Sequence, residues 1–178
     1  MSPLAALPQA TLARARADEV AMLYASWHRT TLSMLLGALI LWGVFWQQVA
    51  WLVMAVWLAL VLANQAWRAL LARAWQFRAP GRDAAARWGR YWSFGAAMSG
   101  GLWGVASILV FPASPSHQAL LIVCLFGVVL GGLNLTAVYK SSFYGFVLPA
   151  LLPLIARVAL EGGPVHLYTA AVMTVVLV

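Results

Sequence analysis

The sequence predicts an all-α fold: a polytopic membrane helix bundle of six transmembrane helices with an N-terminal interfacial helix. Three observations predict it. The 178-residue chain is 64% hydrophobic and only 8% charged, which leaves too little polar surface for a soluble domain of this size. Apolar runs of membrane-crossing length recur between short polar breaks. The basic residues gather in alternate breaks, as the positive-inside distribution requires. The same composition excludes disorder, and the single cysteine, Cys124, excludes a disulfide scaffold.

Residues 1–30 form a cytoplasmic N-terminal segment. After Pro3 and Pro8 it reads as a helix from Thr11 to Trp27, with Leu12, Val20, Leu23, Tyr24 and Trp27 on one face, lying at the inner membrane interface. Its apolar stretch starts too late for a secretory signal, so the segment is expected to be retained. Residues 31–178 form the transmembrane domain. The first span runs from about Thr31 to Trp46 and the second from about Ala50 to Leu71, with a tight hairpin between them. A break from Gln76 to Ala86, carrying the turn signal Pro80-Gly81, precedes a third span from about Trp88 to Phe111. The turn at Pro112 and Pro115 leads to a fourth span, Gln118 to about Tyr139, and Lys140-Ser141 leads to a fifth, Ser142 to about Leu160. Gly162-Gly163-Pro164 opens the sixth run, Val165 to Val178. Its 14 residues give roughly 21 Å of helix, short of a ~30 Å hydrocarbon layer, so the chain is expected to continue into the cytoplasm as part of a longer polypeptide.

The net charge is +7 and the isoelectric point about 10.6. Arg14, Arg16 and Arg29 precede the first span, six arginines from Arg68 to Arg90 surround the second polar break, and Lys140 marks the next. The turns at Gln47-Gln48 and at Pro112 to His117 carry no Lys or Arg and belong on the opposite side. This distribution reads as topology and headgroup anchoring, not as a nucleic-acid surface. Arg157 departs from the alternation, and Glu161 stands four residues on to pair with it.

Candidate functional residues are few. Asn64 and Gln65 in the second span, and Asn134 and Thr136 in the fourth, are placed for hydrogen bonds between helices, as packing contacts or as part of a ligand site. Ala96, Gly100 and Gly104 recur every four residues on the third span, and Gly127 and Gly131 do so on the fourth; both stripes permit close helix approach, with one another or otherwise. Pro149 and Pro153 bend the fifth span and leave the carbonyls of Gly145 and Pro149 short of donors. Together with Arg157 they form a stripe for ligand contact or signal movement. Of ten tryptophans, Trp46 and Trp51 mark the outer interface and Trp27, Trp67, Trp75, Trp88 and Trp92 the inner one. Trp42, Trp57 and Trp103 lie deeper, as core packing or as a cavity lining. The histidines His28, His117 and His166 are interfacial; no metal site and no cofactor are expected, and no catalytic motif is present.

Arg87-Trp88, Gly95-Ala96, Gly100, Trp103-Gly104, Phe111-Pro112, His117-Gln118, Phe146-Val147-Leu148-Pro149 and Leu151-Leu152-Pro153 together resemble the N-terminal membrane region of bacterial signalling proteins. These are chiefly hybrid sensor histidine kinases and also some diguanylate cyclases. The resemblance covers about half the chain. It implies a signal-input domain in the bacterial inner membrane, ahead of a cytoplasmic output domain, and assigns no ligand-binding residue. The expected partners are the lipid bilayer, a second copy in a homodimer, and a small lipophilic or periplasmic signal molecule. The alternative function is a small-solute carrier or channel subunit, against which stand the lack of mid-span acidic residues and of symmetry between the two halves.

Overall fold

The computed structural model describes the backbone of residues 3–78, 80–81, 84–136 and 139–177, and their side chains outside 3–10, 12–13, 133–136 and 176–177. Seven helices follow in order: α1 Pro3–Ala25, α2 Trp27–Phe45, α3 Trp51–Arg78, α4 Ala85–Leu109, α5 Pro115–Thr136, α6 Lys140–Glu161 and α7 Pro164–Leu177. The described residues contain no strand. Four helices, α2, α3, α5 and α6, are long and apolar enough to cross a membrane. This is the composition of a membrane protein.

Two expected spans stand outside those four. The α4 helix has 25 residues, of which twelve are buried, and its inward faces are built from Gly, Ala and Ser among the tryptophans. A helix enclosed by protein meets little lipid, so its sequence carries less hydropathy than one that faces hydrocarbon. The α7 helix has only 14 residues.

Packing contacts give the helix directions. Trp57 Nε1 donates to the Leu102 carbonyl at 2.8 Å, and Asn64 Nδ2 donates to the Gly95 carbonyl at 3.2 Å. Partners thus fall along α4 as residues rise along α3, and the two are antiparallel. On α6 the order is the same as on α4: Gly100 meets Phe146, and Gly104 meets Pro149 and Pro153, so this pair is parallel. Ser33 approaches Gly131 while Gly37 approaches Val128, which makes α2 and α5 antiparallel.

The main core gathers Met34, Leu41 and Phe45 of α2, Trp103 of α4, Leu121 and Leu125 of α5, and Leu151 and Leu154 of α6, all fully buried. A second cluster closes one end, where Val20, Leu23 and Tyr24 of α1 pack on Ala72, Trp88 and Trp92. The N-terminal helix therefore docks on the bundle through its expected face. It begins at Pro3, earlier than the expected Thr11, and Trp27 already belongs to α2. The break falls at Ser26, whose Oγ donates back to the Met22 and Leu23 carbonyls, competing with helix continuation as serine does. Trp88 and Trp92, expected at the inner interface, are buried against α1.

Candidate functional site

The most extensive contact in the fold is between α4 and α6, and its geometry follows from two four-residue repeats. A Cβ built at Gly100 would overlap the Phe146 carbonyl, and one built at Gly104 would overlap the Pro149 carbonyl. Only glycine permits this backbone-to-backbone approach. Pro153 has no N–H, so the Pro149 carbonyl lacks its helical donor, and Gly104 lies directly against that carbonyl. The Gly104 Cα–H is the group that faces the orphaned oxygen, a weak but recurrent kind of helix–helix contact. Gly100 and Gly104 of the stripe thus pack on the proline helix and not on α5. Nothing lies within 4 Å of a Cβ built at Gly127, so that residue makes no helix contact, whereas Gly131 lies beside Ser33 Oγ.

Trp103 belongs to the core. Its ring stands edge-on to Trp57 at 5.4 Å, and its Nε1 lies 3.2 Å from Met34 Sδ. Asn64 ties α3 to α4 through Gly95 and through Ser99 Oγ at 2.7 Å. The side chains of Asn134 and Thr136 lie outside the described residues. At the far end Arg157 pairs with Glu161 at 2.6 Å and covers the Phe111 ring at 4.3 Å. It is held by the end of its own helix and by the α4–α5 turn. His166 Nε2 lies 3.0 Å from Gln118 Oε1 and its Nδ1 2.9 Å from the Gly162 carbonyl. Among the described residues no group of His, Cys, Asp or Glu is placed to hold a metal.

Sequence reasoning missed Arg68. Counted there among the anchoring arginines, it is 2% exposed and lies in the middle of α3, its guanidinium 4.4 Å above the Trp92 ring. Among the described residues its Nε and Nη2 have no hydrogen-bond partner, and Gln65 Oε1, Trp92 Nε1, Ser93 Oγ and Ser142 Oγ are also buried and unpaired. Stacking on a desolvated indole is worth about 2 kcal/mol, whereas burying an arginine without a carboxylate costs several. On these magnitudes the stacking does not offset the burial of the charge, so Arg68 is a candidate for a role other than stability. The signal available in the sequence was spacing: Asn64, Gln65 and Arg68 share one helical face, and the tryptophans four apart at 88 and 92 supply the opposing surface. Above Trp92, Tyr24 stacks on Trp75 at 4.7 Å and donates its hydroxyl to the Trp88 carbonyl at 3.0 Å. Burial pushes the Tyr24 phenol above its ordinary value, a rise the Arg68 charge opposes.

No family model matches this chain, no curated protein matches it, and no solved structure matches its fold.

Proposed function

We propose that this chain is the membrane-embedded signal-input domain of a bacterial signal-transduction protein, with six crossings and its N-terminus in the cytoplasm of an inner-membrane protein. It would pass a change in ligand or membrane state to an output domain beyond α7, a histidine kinase being the leading candidate, and it would act as a homodimer. The seam between α4 and α6 carries this reading. A contact made by glycines against carbonyls has few interlocked side chains, so it supports small shear displacements, and the two prolines weaken the helix that would move. α6 leads directly into α7, the segment that would relay the motion.

Six crossings are supported by the helix directions. α4 runs parallel to the candidate span α6, α3 antiparallel to α4 and α2 antiparallel to α5, the directions that an alternating bundle requires. The contacts of Tyr24 with Trp75 and of Tyr139 with Gly89 gather the basic segments at one end. The fully buried Leu, Phe and Trp side chains at the bundle centre favour a relay over the alternative solute path.

The test is to join the chain to a histidine-kinase output domain, reconstitute it, and measure phosphorylation while bilayer thickness and lipid charge are varied. The reading predicts a changed output that is lost when Pro149 and Pro153 are both replaced by Ala at normal membrane levels. Robust solute flux through liposomes by the chain alone would overturn it.

A further inference from the structure

A groove of about 460 Å³ runs between α2 and α5. Its α2 wall is the stripe Arg29, Ser33 and Gly37, and its α5 wall is Cys124, Gly127 and Val128. Both walls belong to helices long and apolar enough to cross a membrane. Along the α2 wall the character changes once. Arg29 and Ser33 make one end polar, and the remaining lining on both helices is apolar. The polar end is the one where α1 docks and the basic segments gather, the level of lipid headgroups.

Two details set the shape. The floor is closed, because Gly37 lies so near Val128 that a built Cβ would come within 2.6 Å of its methyl group. The side is open, because Gly127 has nothing within 4 Å of a built Cβ, although it was expected to pack a helix. Arg29 is exposed and forms no ion pair among the described residues. A narrow apolar channel inside the bilayer, open to hydrocarbon and ending on an unpaired guanidinium, matches one kind of occupant. We infer that this groove binds an anionic phospholipid, with one acyl chain along Gly37, Cys124 and Gly127 and the phosphate on Arg29. Guanidinium binds phosphate through paired N–H donors, and Ser33 adds a hydroxyl at the same level. The inference is independent of the signalling role and needs only that α2 and α5 lie in the membrane.

The experiment is native mass spectrometry of the chain released from vesicles containing equal phosphatidylglycerol and phosphatidylcholine. Wild type should retain one phosphatidylglycerol per chain, about fivefold over phosphatidylcholine, the effect of one basic residue at an anionic surface. Arg29→Gln should abolish the preference. Gly127→Leu should abolish retention of both lipids. Gly43→Leu, also on α2 with nothing within 4 Å of its built Cβ but outside the groove, should behave as wild type. Equal retention of the two lipids by wild type, or unchanged retention by Gly127→Leu, would overturn the inference. So would efficient oxidative cross-linking through Cys124, the single cysteine, because it would seat a second copy of the chain in the groove.

Discussion

At the residue scale the most informative side chain is Arg68, buried on the Trp92 ring with no ionic partner among the described residues. If its charge lowers stability, Arg68→Met should be neutral or stabilising, because an apolar chain of similar length keeps the contact with the indole and removes the desolvation cost. Trp92→Ala should destabilise by about 3–5 kcal/mol, by opening a cavity between α1, α3 and α4. Reversible unfolding in detergent, followed by tryptophan fluorescence, measures both; a large loss in Arg68→Met would mean that the arginine has a partner on which the fold depends. Asn64 works in the opposite direction. It satisfies a carbonyl and a hydroxyl across the α3–α4 contact, and Asn64→Leu should cost on the order of 0.6 kcal/mol, the average for interhelical hydrogen bonds in membranes. The role of Asn64 was legible in the sequence, since a lone amide in an apolar helix must find a partner. That of Arg68 was not, because one arginine beside five others in a basic stretch looks like an anchor until the facing helix is known.

At the element scale the fold is organised by the pairing of a glycine repeat with a proline repeat. Both repeats were visible in the sequence, and so was the shortage of donors at the Pro149 carbonyl. What spacing alone could not give was the partner: two small-residue stripes on successive spans suggested each other, yet α4 packs on α6 and α5 on α2. The choice follows from shape, since the proline helix presents carbonyls that only glycines can approach. Gly104→Ala should therefore destabilise by about 1–3 kcal/mol, because its methyl group would displace the Pro149 carbonyl. Gly101→Ala on the same helix has open space around its Cβ and should be neutral or stabilising by helix propensity. Thermal unfolding of the two variants side by side tests the seam; equal effects would show that the close approach is not needed.

At the scale of the whole molecule, composition and charge pattern carried the class of protein, and the helix order agrees closely with the expected spans. The exceptions have physical causes. Boundaries shifted at Ser26 because a serine hydroxyl offers the backbone an alternative bond. Trp88 and Trp92 are buried because α1 docks on them, a tertiary contact that no local pattern encodes. The α4 helix buries twelve of its 25 residues and stands outside the four helices apolar enough to cross a membrane. The proposed function rests on one central claim, a six-crossing bundle whose basic turns share one side. The most direct measurement places single cysteines, in a Cys124→Ser background, at Gln48, Gly81, Ser114, Ser141 and Gly163 and labels intact spheroplasts with a membrane-impermeant maleimide. The account predicts that Gln48→Cys, Ser114→Cys and Gly163→Cys react from outside, and that Gly81→Cys and Ser141→Cys react only after permeabilisation. Labelling of Gly81→Cys and Ser114→Cys from the same side would contradict it, for α4 would then not cross the membrane.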